Sequence, residues 1–181
     1  SFASSKGMKF TQGHLSLSAD ISDPDEIRRK ATIEQLKKEL SLFRILGITT
    51  AVLHCGGRVA SEQGIEREMI DKIRTVSLHE LCAHIAGTGM KIALENIPST
   101  QPFADDLLKV IEAAGAPEEL GICFDTGHLN MVGGDPEEFI SKAKNKLIAL
   151  HIADNLGQKD DHMLPCGRGT VAWAKVIGKL K

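Results

Sequence analysis

An α/β domain of consecutive parallel strand-helix units is the fold class this sequence predicts, and three observations predict it. Five short apolar runs recur along the 181 residues. Helix-like segments with their own start and stop signals separate them. Each run also ends in a side chain able to bind a metal or move a proton. No linker, low-complexity tract or long charge block divides these units, so a single domain over residues 1–181 is expected.

The first run, MKFTQGH, ends at His14. Ser22-Asp23-Pro24 then supplies a cap and a first-turn proline for a helix whose stripe is Ile27, Ala31, Leu36, Leu40 and Phe43, and which stops before Gly47. The second run, ITTAVLHC, carries His54. Residues 62–87 follow as a broken or kinked helical stretch with Ile65, Met69, Ile73, Leu81 and Ile85 on its apolar side. KIALEN delivers Glu95, and a helix from Phe103 to Ala114 ends at Gly115. LGICFDTGH delivers Asp125, after which Asp135-Pro136 opens a helix carrying Phe139, Ile140 and Ala143. LIALHIADN delivers His151, and a last helix begins near Val171.

Composition narrows the function classes. The chain is 42% hydrophobic and 25% charged with a formal net charge of -2, which gives no electrostatic reason to expect nucleic acid or an anionic membrane. Nucleic acid is thereby disfavoured as a partner, although a local basic patch remains compatible with the composition. No stretch reaches the apolar length that spans a bilayer, and residues 1–15 lack the layout of a signal peptide, so a cytoplasmic location is expected. The four cysteines, Cys55, Cys82, Cys123 and Cys166, form no CxxC pair and are read as reduced.

The strand ends carry the chemistry. Ligands bind at the carboxyl ends of parallel strands, and all five runs end there in His14, His54, Glu95, Asp125 or His151. One polar strand end is an ordinary cap or solvated rim; five together point to a site. Glu95, Asp125 and His151 offer two hard oxygens and an imidazole, a set suited to manganese, magnesium, cobalt or zinc. The alternative for the same three is a buried hydrogen-bonded network without metal. His128, three residues after Asp125 on the turn leaving its strand, reads as a second-metal ligand, a donor to substrate or a turn cap. His14 and His54 fall on the neighbouring side of the same pocket, or at its rim. Asp154 and Asn155 either orient His151 or cap the following loop. That loop, KDDHMLPCGRGTVAW, holds Asp160, Asp161, His162 and Arg168. It can fold over the strand ends and bring His162 or Arg168 onto a polar ligand, or stay a solvated surface segment.

ALEN, CFDTGH and LHIADN followed by DDHMLPCGRGTVAW, in that order, resemble the xylose isomerase-like barrel superfamily, which holds sugar isomerases and epimerases together with the second family of apurinic endonucleases. The resemblance runs from about Lys9 to the end of the chain. It implies a (β/α)8 TIM barrel, here partial, with about five of eight strands, Met8 to His14 standing as the third. It implies that Glu95, Asp125 and His151 are three of four metal ligands, the fourth being a glutamate on a last strand that this sequence does not show. It also implies that His128 and the loop around His162 and Arg168 hold substrate. A barrel of this type takes about 250 residues, and five strands would leave two open edges and an apolar inner face exposed. The chain therefore reads as a fragment of a longer one, with which Ser1 in place of methionine agrees, or as one completed by a partner. A homo-oligomer is compatible with either.

The function expected is a metal-dependent isomerase or epimerase of a small sugar or sugar-like polyol. It works by proton transfer through an enediolate, with Glu95 moving the proton. His128, His162 and Arg168 would fix substrate hydroxyls. An alternative within the resemblance is a zinc-dependent apurinic endonuclease, which draws ligands from positions held here by His14, His54, Glu95, Asp125, His128, His151, Asp160 and His162. Another is a barrel scaffold without turnover.

Overall fold

Large and small side chains alternate through KIALE and LGICFD, and in the folded chain that alternation separates the two faces of one sheet. The structure, a computed structural model, describes residues 5–181; residues 1–4, Ser1 among them, lie outside the described residues. Strands β1 (Gln12–His14), β2 (Thr50–His54), β3 (Lys91–Glu95), β4 (Leu120–Asp125) and β5 (Leu147–His151) lie side by side in sequence order, every pair parallel. The sheet curls as a half-barrel of α/β type, the partial TIM barrel that the sequence predicts.

Helices cover its outer face: α1 (Glu26–Leu46), α2 (Arg58–Glu62), α3 (Arg67–Ile85), α4 (Ala104–Ala113), α5 (Thr126–Met131), α6 (Pro136–Ala143) and α7 (Trp173–Leu180). Leu53, Ile92, Leu94, Ile122 and Phe124 point outward into one core with Leu36, Leu40, Leu81, Leu107 and Phe139 from the helices. Phe124 stacks on Phe139 with ring centroids 4.6 Å apart. Val52, Ala93, Cys123 and Ala149 form a second, inner layer. The exposed apolar inner face expected of an open barrel is not found at these positions. All four are buried, because three of them are small and the fourth, Val52, packs level with them where the sheet curls.

Several elements depart from expectation at their ends. Only Gln12–His14 of MKFTQGH is strand, and Met8 and Phe10 are exposed. The cap of α1 is Asp25, whose carboxylate accepts from the Arg28 amide, so Ser22-Asp23-Pro24 precedes the helix rather than opening it. Ile27 and Ala31 are exposed, and the buried stripe is Ile33, Leu36 and Leu40. The stretch 62–87 is broken as expected, but near Gly64, and α3 turns Ile70, Arg74, Ser77, Leu78, Leu81 and Ile85 inward while Met69 is exposed. Gly47 and Gly115 end their helices with positive φ, and Asp135 caps α6 with Pro136 at its first turn. The last helix begins at Trp173, near Val171 as expected.

Among the described residues no helix is long and apolar enough to cross a membrane. All four cysteines are free, Cys166 alone being exposed. Burial pushes the Cys55 and Cys82 thiols up to about 11, so neither ionises near neutrality.

Candidate active site

Strand register stacks the strand-end residues into one layer above the small inner one. His54 pairs with Glu95 across β2 and β3, and Asp125 with His151 across β4 and β5. Side chains two apart share a face. The inward Val52, Ala93, Cys123 and Ala149 are therefore followed, one step toward the carboxyl end, by His54, Glu95, Asp125 and His151. His14 joins them from β1.

Glu95 is the centre. It is 2% exposed, and imidazoles surround its carboxylate. Its Oε2 lies 3.0 Å from His14 Nε2 and 3.1 Å from His54 Nε2. Its Oε1 lies 2.9 Å from His151 Nδ1 and 3.4 Å from His128 Nδ1. Burial pushes the Glu95 carboxyl up, but hydrogen bonds from His14, His151 and His54 outweigh it and hold the group well below the usual carboxylate range. The Glu95 contact raises His151 in turn. Asp125 is raised by burial, which the neighbouring His128 only partly offsets.

Two of the histidines have their tautomer set by backbone carbonyls. His14 Nδ1 lies 2.6 Å from the Leu15 carbonyl oxygen, and His128 Nδ1 lies 2.9 Å from that of Asn96. A carbonyl oxygen only accepts, so each Nδ1 carries the proton, and a neutral ring then turns the Nε2 lone pair inward. Those lone pairs meet carboxylate oxygens, Glu95 Oε2 for His14 and, 3.4 Å away, Asp160 Oδ2 for His128. Lone pair against lone pair requires a cation between, either a proton or a metal ion. This donor set fits a divalent ion. His14, Glu95 and His151 form one group of converging ligand atoms, and Glu95, Asp125 and His128 form another.

The loop after β5 closes one side. Asp160 reaches His128 Nε2 and lies 3.4 Å from His162 Nδ1, so the two loop residues meet the strand-end cluster. His14, His54, Glu95, Asp125, His128, His151, Asp160 and His162 line one cavity of about 640 Å³. His162 is largely exposed at its rim. Arg168 stands on the exposed part of the loop and is not among the residues lining that cavity. His128 lies on the first turn of α5, where its amide donates to Asp125 Oδ1 at 2.7 Å, so the capping residue there is Asp125. Asp154 and Asn155 are both fully buried and their side-chain hydrogen bonds go to the following loop and to α5, not to His151.

Two neighbours that hold the strand ends in place escape sequence reading. Asn96 ties the strand ends together: its Oδ1 accepts from the Asp125 amide at 2.7 Å, its Nδ2 donates to the Asp125 carbonyl at 3.0 Å, and its own carbonyl orients His128. Its only signal is an amide directly after the strand-end glutamate. Arg74, 1% exposed on α3, donates from Nε to the Cys55 carbonyl and Ser22 Oγ and from a terminal nitrogen to the Gly56 carbonyl, pinning the turn that follows His54. Nothing in a helical arginine announces that role.

With that geometry in place, comparison with known proteins gives consistent matches. A family model described as xylose isomerase-like TIM barrel matches residues 1–181. An uncharacterized protein of Methanocaldococcus jannaschii is 31% identical over 160 residues, covering 84% of this chain and 53% of that protein. A probable endonuclease 4 of Symbiobacterium thermophilum is 24% identical over 187 residues, covering 93% of this chain and 65% of that protein. Among solved structures, a D-tagatose 3-epimerase-like protein matches with a TM-score of 0.86 at 26% identity, over 99% of this chain and 68% of that one. The chain thus spans about half to two thirds of the length of these curated relatives.

Proposed function

The chain belongs to the xylose isomerase-like TIM barrel family, and from that premise we propose that it serves a metal-dependent isomerase or epimerase acting on a small sugar or sugar-like polyol. The observation that carries the reading is the buried Glu95 carboxylate ringed by imidazoles on the floor of a cavity of about 640 Å³, a space suited to a small polar ligand.

His14, Glu95, Asp125 and His151 are the residues that would hold a divalent ion, manganese, magnesium, cobalt or zinc. Such an ion supplies Lewis-acid polarisation of a substrate carbonyl. Glu95, whose carboxyl the surrounding imidazoles hold well below the usual carboxylate range in the metal-free chain, is ionised at neutral pH and is the group assigned to take a proton from the carbon beside that carbonyl. An enediolate results. Return of the proton from Glu95 to the neighbouring carbon, with a hydroxyl proton passing between the two oxygens, isomerises, whereas epimerisation takes a second acid on the opposite face to protonate the same carbon. His128, fixed by the Asn96 carbonyl, faces the same space and, with His162 at the rim, is assigned to substrate hydroxyls, whereas Arg168, outside the cavity lining, is not. Glu95→Gln should reduce turnover of ketose substrates by a factor of about 10³ or more, while far-ultraviolet circular dichroism stays native. Unchanged turnover in that variant would contradict the mechanism.

A second reading has a specific observation in its favour. Eight ligand-type side chains share the cavity, more than one ion uses, as hydrolysis of abasic DNA by a zinc cluster would require. Asp160 in the cavity lining and the net charge of -2 speak against a phosphate backbone as ligand. Cleavage of an abasic-site duplex by the zinc-loaded protein, with no ketose turnover, would favour this reading over the first.

A further inference from the structure

We infer that Asp154 is a positioning residue that fastens the loop over residues 156–171 as a standing wall of the cavity, so that Asp160 and His162 face the ligand before it arrives. The inference rests on the reading that this cavity takes a substrate.

Asp154 is 0% exposed, and among the described residues no lysine, arginine or histidine is paired with its carboxylate. A buried, unpaired carboxylate is expensive unless hydrogen bonds replace its water. Here five N–H groups do so. The Asn155 and Val171 amides donate to Oδ1 at 3.0 and 3.2 Å. The Gly167 and Gly169 amides donate to Oδ2 at 3.4 and 3.0 Å, and the Trp173 indole joins them at 3.0 Å. Four of the five donors lie in the far half of the loop or just beyond it.

The near half is held by the backbone of the same residue. The Asp154 amide donates to the Met163 carbonyl at 2.9 Å, and the Met163 amide donates back at 2.8 Å. Met163 directly follows His162, whose φ of 45° is one that side chains other than glycine rarely adopt. One residue therefore grips the loop twice, at the residue next to His162 and around the Gly-Arg-Gly segment. Gly169 shows how close the second grip is: a Cβ there would lie 2.1 Å from Asp154 Oδ1 and 2.2 Å from the Asn155 carbonyl oxygen. That accounts for Gly169 without a phosphate; Gly167 is called for by its φ of 103°, and both give their amides to the carboxylate.

A loop held in this way acts by uniform binding. Loosening it should weaken ligand capture and leave the proton-transfer step alone. A merely structural role behaves differently, since a partly unfolded preparation loses active molecules and apparent kcat while KM stays the same.

The test is Asp154→Asn in the full-length protein, with amide hydrogen exchange at Gly169 and Val171 read beside steady-state kinetics on a ketose substrate. Exchange at both amides should quicken, and KM should rise about tenfold with kcat unchanged. Should the variant fail to fold, Trp173→Phe, which removes one donor to Oδ2, is read the same way with a rise of about threefold. Unaltered exchange overturns the inference, and so does quickened exchange with an unchanged KM. Exchange needs no substrate. If the unaltered protein turns over no ketose, the functional reading falls, and the exchange result alone still decides whether Asp154 holds the loop.

Discussion

At the scale of the residue, Glu95 and its histidines form the centre of the candidate site. The His14 and His128 tautomers, each set by a carbonyl, turn lone pairs toward carboxylate oxygens, and only a cation reconciles the two. Arg74 is a second residue on which the site depends. Arg74→Leu would leave the Gly56 carbonyl without its side-chain donor and the Cys55 carbonyl with Ser22 Oγ alone, in a buried place. A loss of about 3 kcal/mol is expected, measurable by urea unfolding; a change below about 1 kcal/mol would show that water or a neighbour replaces the guanidinium. His14, His54, Glu95, Asp125 and His151 were legible in the sequence because each ends an apolar run. Arg74 was not, since apolar-stripe reasoning assigns arginine to the solvent side and cannot see that the interior offers it carbonyls. Asp154 was legible only as a choice between two roles, because its partners lie as far as Trp173 along the chain.

At the scale of the element, alternation of large and small residues did most of the work. β4 is buried along its whole length, with Phe124 against Phe139 on one face and Asp125 at the cavity on the other. Phe124→Ala should cost about 4 kcal/mol through lost burial and a cavity under α6, seen as a lower urea midpoint with the metal content per folded chain unchanged. A midpoint shift matching less than about 1.5 kcal/mol would mean that the helix layer collapses into the space. Strand existence and order could be read from the sequence, whereas helix starts shifted by a few residues. At α1, Ser22, Asp23 and Asp25 all carry cap chemistry. Asp25 prevails because its carboxylate reaches the Arg28 amide, while Asp23 is occupied by the Arg28 side chain. At α3 the stripe counted from Ile65 holds at Leu81 and Ile85, which are buried, and slips near its start, where Ile70 rather than Met69 turns inward.

At the scale of the whole molecule, five parallel strands curl around one cluster of titrating groups, and stability depends on how that cluster is charged. In the metal-free protein Glu95 is depressed, so its contribution is present above its ordinary 4.5 and lost as pH falls through its folded value. His151 is raised, so its contribution is complete below 6.5 and lost as pH rises through its folded value. Asp125, raised by burial, adds to the loss on the alkaline side of 3.8. The chelated protein should therefore melt at a lower temperature as pH climbs above about 6.5, and Glu95→Gln should flatten that fall; an equal fall in the variant would place its origin elsewhere. The half-barrel was legible from repeated strand-helix spacing, while burial of its inner face was not, because it follows from the size of Ala93, Cys123 and Ala149 once the sheet curls. The most direct test of the central claim is the metal content of the purified protein by elemental analysis after dialysis against metal-free buffer. About one divalent ion per chain, lost on chelation together with ketose turnover, is the result expected of a sugar isomerase or epimerase. No retained ion, or two to three zinc ions per chain with no ketose turnover, would contradict it.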